Sequence, residues 1–126
     1  MSKKIVTTSS APGAIGPYSQ AILAGDTLYC SGQIALDPTT GDLVMGSIEE
    51  EMHQVMKNIK AVLAAAEMSL DQVVKCSIFM SSMSHYKAIN DIYIQYFKID
   101  PPAREAVAVK TLPREVNVEI SVIAVK

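Results

Sequence analysis

Apolar residues recur at every second position from Val116 to Ala124. Val116, Val118, Ile120, Val122 and Ala124 take one side, and Asn117, Glu119 and Ser121, followed by Ile123, take the other. Such alternation predicts a strand with one buried face. Upstream, Pro101 and Pro102 force an extended entry. Val107 and Val109 then alternate with Ala106 and Ala108, and Leu112-Pro113-Arg114-Glu115 interrupts the run. The stretch 101–124 therefore reads as two strands joined by a short turn, with Arg104 on the first and Glu119 on the second. If their faces coincide, a cation and a carboxylate share one space. They would then form either a cross-strand ion pair or a fork for a substrate carboxylate beside a base that handles water.

The same periodicities organise the rest of the chain. Short strands are expected at Lys4–Thr7, Ser19–Ala24, Thr27–Ile34 and Val73–Ser81, with Gly25-Asp26 as a hairpin turn. In the third strand Leu28, Cys30 and Ile34 share a face with Gly32, opposite Tyr29, Ser31 and Gln33. In the fourth, Val74, Cys76, Ile78 and Met80 oppose Val73, Lys75, Ser77 and Phe79. Ser47-Ile48-Glu49-Glu50 is a capping box that opens a helix to about Ala66, with Met52, Val55, Met56, Ile59 and Leu63 as its apolar stripe. Ser84 is expected to cap a second helix, from about His85 to Phe97, with Tyr86, Ile89, Tyr93, Tyr96 and Phe97 inside. Strands with segregated helices imply an α+β fold, with two helices on one face of a mixed sheet. Tyr29, Phe79 and Ile123 are then left on the other face, which marks it as a contact surface for further subunits.

Composition narrows the function. A chain of 126 residues, 49 % of them apolar, suits one domain over 1–126. The net charge of −2 supplies no positive field for nucleic acid. Cys30 and Cys76 lie inside strands and form no CxxC pair, and His53 and His85 lack ligand spacing, so neither a metal nor another cofactor is called for. His53 is expected in solvent beside the first helix's stripe. The opening Met-Ser-Lys-Lys-Ile-Val-Thr-Thr is no signal segment and no run could span a membrane, so a cytoplasmic setting is expected.

Pro-Pro-Ala-Arg at 101–104, Leu112-Pro113, Val118-Glu119-Ile120 and Ile123-Ala124 resemble the signature of the RidA/YjgF/UK114 family of reactive-intermediate imine deaminases. Ala14-Ile15-Gly16-Pro17-Tyr18-Ser19-Gln20-Ala21, Ser31-Gly32-Gln33-Ile34, Asn90-Asp91-Ile92-Tyr93 and Tyr96-Phe97 extend the resemblance over nearly the whole chain. It implies a chorismate-mutase-like fold of the bacillus type, with a six-stranded sheet, and a homotrimer with sites between subunits. It also implies hydrolysis of 2-imino acids, or their enamine tautomers, to 2-oxo acids and ammonia. By the same resemblance Arg104 clamps the substrate carboxylate and Glu119 positions and activates water. Tyr18, Ser31, Gly32 and Asn90 line the pocket, as do the backbone groups of Ala106. Tyr18, Ser31 and Asn90 are expected from one subunit, and Arg104 and Glu119 from its neighbour. Three positions depart from the family pattern: Ala106 stands where many bacterial relatives have Cys, Ser121 where a second Glu is common, and Ala66-Glu67-Met68 where a Gly usually follows the helix. The alternatives are an endoribonuclease or translation inhibitor, for which no basic stripe or histidine pair speaks, and a non-enzymatic module that binds small 2-oxo acids or acts as a chaperone-like surface.

Overall fold

The computed structural model describes residues 2–126. Its elements run β1 (Lys3–Val6), β2 (Ala21–Ala24), β3 (Thr27–Gln33), α1 (Ile48–Ala65), β4 (Val73–Met80), α2 (Tyr86–Tyr96), β5 (Ala103–Ala108) and β6 (Val118–Val125). The strands form one mixed sheet in the order β1-β2-β3-β6-β4-β5. The pair β4–β5 is parallel and the others are antiparallel. Both helices pack on one face, so the α+β expectation holds. Among the described residues no helix is long and apolar enough to cross a membrane.

The hairpin expected over 101–124 does not form. β4 lies between β5 and β6, parallel to the first and antiparallel to the second. The physical reason is burial. β6 buries every second residue from Val118 to Ala124 and sits inside the sheet, whereas β5 has no fully buried residue and takes the edge. Alternation identified the strands but carries no information about partners.

Two bulges shift side chains between faces, because an extra residue reverses the alternation beyond it. In β3 the register against β6 slips between Cys30 and Gln33, so Gln33 turns to the core opposite Ile120 and is buried. Gly32 thereby faces away from the core, contrary to the sequence reading. In β4 the slip between Val73 and Lys75 buries Val73 and leaves Val74 exposed, again reversing the expectation.

The core lies between the sheet and the helices. Met52, Val55, Met56, Ile59 and Leu63 of α1 are wholly buried, against sheet residues that include Leu28, Cys76, Ile78, Met80, Val118 and Ile120. Cys30 and Cys76 are buried free thiols, and burial pushes Cys30 up to about 12. The Ser47 hydroxyl accepts from Glu50 N at 3.1 Å and starts α1 as predicted. Ser84 does not cap α2. A 3-10 turn at Met83–His85 precedes that helix, and it is Ser82 that accepts, from Ser84 N at 3.1 Å. On the open face Ile5, Ile22, Tyr29 and Ile123 stand in register across four adjacent strands.

Candidate active site

Glu119 sits on β6 opposite Phe79 of β4, on the face that the helices leave open. It is half-buried, and burial raises its carboxyl above the ordinary glutamate value. No Lys or Arg among the described residues forms an ion pair with it, so it is not a structural partner of Arg104 or Lys110. The β3 bulge makes its room. A Cβ built on Gly32 would lie 2.8 Å from Glu119 Cδ. Only a residue without a side chain leaves the carboxylate where it is.

Glu119 opens into a cavity of ≈ 590 Å³ that Tyr18, Ser31, Gly32 and Arg114 also line. The Ser31 hydroxyl donates to Ser19 O at 2.6 Å, which leaves its lone pairs as acceptors. The Tyr18 hydroxyl accepts from Ile15 N at 3.4 Å, and its own proton stays free to donate. The loop before Tyr18 is tied down by buried Gln20, whose amide takes Thr8 N at 2.8 Å and donates to Thr8 O at 3.0 Å and Pro12 O at 2.7 Å. Arg114 reaches the cavity from a turn in which it and Glu115 both adopt left-handed backbone, at φ 54° and 57°. Nothing in the sequence marked this arginine beyond its place after Pro113.

The entry to β6 is held by Glu51 of α1, which has no exposed surface. Glu51 Oε2 accepts from Asn117 N at 2.8 Å and Val118 N at 3.1 Å, and Oε1 accepts from Asn117 Nδ2 at 2.9 Å. A carboxylate thus fixes the backbone immediately before Glu119. The sequence reading missed it, although a glutamate beside Met52 at the edge of an apolar stripe was a signal.

Arg104 lies elsewhere. On β5 it stands opposite Cys76, and Cys76 and Phe79 point to opposite sides of β4. Arg104 therefore faces the helices, and Glu119 faces away from them. Neither the shared face nor the cross-strand ion pair exists within one chain. The Arg104 guanidinium rests on α2. Its Cζ lies 4.8 Å from the Tyr93 ring centroid and 5.7 Å from that of Tyr86. Its Nη2 donates to the Tyr86 hydroxyl at 3.0 Å. Hydrogen bonds from Asn90 and then Arg104 hold the Tyr86 phenol below its ordinary value. Burial holds Tyr93 well above the usual phenol range, and its hydroxyl is buried without a hydrogen-bond partner. Asn90, Tyr93 and Arg104 line a second cavity of ≈ 470 Å³. Ala106 follows on the same face, opposite Ile78, with its side chain against the core, while β5 as edge strand leaves backbone groups unpaired.

One chain therefore brings together Tyr18, Ser31, Gly32 and Glu119, and separately Asn90, Arg104 and Ala106. This division corrects the expected one: Glu119 travels with Tyr18 and Ser31, and Asn90 with Arg104. Tyr86, Asn90 and Tyr93 recur at the spacing of one helical face. That spacing signalled a shared site, although the tyrosines read only as core.

The sequence profile of the Endoribonuclease L-PSP family matches residues 8–126. A RutC family protein of Pyrococcus horikoshii is 46 % identical over 124 residues, covering 98 % of each chain. The human 2-iminobutanoate/2-iminopropanoate deaminase is 43 % identical over 124 residues, covering 98 % of this chain and 90 % of the human one. Among solved structures, E. coli TdcF with bound serine superposes with a TM-score of 0.93 at 36 % identity, covering 98 % of both chains.

Proposed function

Because the chain belongs to the RidA/YjgF family, the one whose profile bears the endoribonuclease L-PSP name, we propose that it hydrolyses 2-imino acids such as 2-iminobutanoate and 2-iminopropanoate. Such compounds arise when pyridoxal-phosphate enzymes dehydrate threonine or serine. A human relative named for this deamination supports the reading, as does the bound serine of TdcF, a small molecule with the α-carboxylate that an arginine fork matches.

The chemistry needs little. The imine carbon is already electrophilic, so the protein has to hold it and deliver water. In our reading Arg104 grips the carboxylate and Glu119 takes a proton from water as its oxygen bonds to the C=N carbon. The C=N π pair moves to nitrogen, so the protonated imine becomes a neutral carbinolamine, and Glu119 returns its proton to that nitrogen to make an ammonium leaving group. Ammonia then leaves as the C–N bond breaks and the hydroxyl loses its proton, which forms the 2-oxo acid. Proximity and general base action are the effects invoked. The single observation that carries this is Glu119 itself: a half-buried carboxylate with a raised pKa, unpaired among the described residues, in a cavity cleared for it by Gly32.

Arg104 and Glu119 cannot face one substrate from the two sides of one sheet. We therefore propose that the site is completed between copies, the Arg104–Asn90 half of one chain closing on the Glu119–Tyr18 half of the next in a cyclic homotrimer. Head-to-tail contacts of unlike patches close into rings in this way. The apolar row Ile5, Ile22, Tyr29 and Ile123 supplies surface to bury. Neither cavity is lined by His53 or His85, which favours the deaminase over a ribonuclease with histidine acid–base chemistry. The test is a coupled assay with threonine dehydratase. The protein should accelerate release of 2-oxobutanoate, and Arg104→Ala should not. Acceleration equal to wild type by the purified variant refutes the role given to Arg104.

A further inference from the structure

We infer that Tyr86 and Tyr93 are positioning residues that aim the Arg104 fork, and that Tyr86 thereby sets how tightly the site grips a carboxylate. This rests on the reading of Arg104 as the carboxylate anchor. An arginine on an edge strand is ordinarily free to sample many rotamers, and holding one costs side-chain entropy. Here two contacts from one helix remove that freedom in different ways. The Tyr93 ring lies beneath the guanidinium at 4.8 Å, within the range of a cation–π contact. Only 6 % of Tyr93 is exposed, so its ring is a fixed floor. Tyr86 adds direction: its hydroxyl accepts one Nη2 proton at 3.0 Å, which fixes rotation of the fork on that floor. The second Nη2 proton remains, with Nη1 or Nε beside it, to meet a carboxylate. Asn90 lies between the tyrosines on the same helical face and lines the same cavity as Arg104. One helix therefore orients the cation and contributes to the pocket it serves.

The experiment uses the full chain and two readouts: affinity for 2-oxobutanoate by calorimetry, and turnover of 2-iminobutanoate. Tyr86→Phe keeps the ring and removes the acceptor. It should weaken 2-oxobutanoate binding about tenfold, the factor that ~1.4 kcal/mol makes in an equilibrium constant, and raise KM with little change in kcat. Tyr93→Leu should weaken binding by a similar factor, and Tyr93→Phe, which restores the ring, should bind more tightly than Tyr93→Leu. In an Arg104→Lys background, Tyr86→Phe should add no further loss, because a lysine has no fork to aim. Unchanged affinity in Tyr86→Phe, or the same loss with Arg104 replaced as with it present, overturns the inference. Wild-type protein that binds 2-oxobutanoate without turning over the imine refutes the deaminase reading, and the affinity series still decides the roles of the tyrosines. Wild-type protein that does not bind the 2-oxo acid at all overturns both.

Discussion

Gly32 and Glu119 are in contact through a side chain that is not there: the place a Cβ would take on Gly32 is 2.8 Å from Glu119 Cδ and 3.0 Å from Oε2. The bulge between Cys30 and Gln33 creates this relationship by turning Gly32 to the open face. Gly32→Ala must push the mobile end of Glu119 aside. The strain then falls on the carboxylate's position rather than on the sheet. We expect kcat to fall about tenfold or more, as a misplaced base implies, with a melting temperature close to wild type. Wild-type kcat in Gly32→Ala would show that the position of Glu119 is unimportant.

Glu119→Gln should keep affinity for 2-oxobutanoate and lose about 10²–10⁴ in kcat, the range for a general base. The wild-type pH profile should carry the same signature. Burial raises the Glu119 carboxyl, so the base form is lost as pH falls through a value above that of an ordinary glutamate. The acid limb of kcat/KM should lie there and vanish in the variant. The sign for stability is opposite to that of a salt-bridged acid. A raised folded-state pKa means the folded chain holds the proton more tightly than the unfolded one, so stability falls as pH rises from the ordinary value through the raised one. Glu119→Gln should therefore melt higher than wild type at neutral pH and not below that window. An equal loss of binding and rate would assign Glu119 a structural role instead.

Glu51→Ala should destabilise the chain by about 3 kcal/mol, because it strands the Asn117 and Val118 amide protons beneath α1. Denaturant titration measures this directly. Glu51→Gln keeps an acceptor and should lose less.

Glu67 holds left-handed backbone at φ 58°, where α1 ends with Glu67 N bonded to Ala64 O and Met68 N to Leu63 O, both at 2.9 Å. This is the bond pair of a Schellman cap with a side chain at the position glycine favours. Glu67→Gly should stabilise by about 1 kcal/mol, the cost of left-handed backbone for a residue with a Cβ, with kcat unchanged. Thermal unfolding tests it, and a lower melting temperature would contradict it.

The sequence disclosed the elements better than their arrangement. Met52 to Leu63 and Val118 to Ala124 announced α1 and β6 because burial on one face leaves a period. The bulges left no comparable mark: one extra residue reverses parity, and only the glycine hints at it. The insertion of β4 between β5 and β6 was not legible either, since pairing depends on which strands bury most. That single error carried over to the site. Once β4 separates the two strands, Arg104 and Glu119 fall on opposite faces, and the motif residues sort into two groups that no spacing could have distinguished. Glu51 was marked only by its place at the edge of the α1 stripe, a weak signal, because a charged residue there reads as solvated until its backbone partners on a distant strand are known.

The division of the site between copies is tested most directly by mixing two inactive variants. Arg104→Ala lacks one half and Glu119→Gln the other. Unfolded together and refolded at equal amounts into mixed assemblies, they should regain activity in about a quarter of the sites, where each partner brings the half the other lacks. Mixed assemblies as inactive as either parent would contradict a site completed between chains.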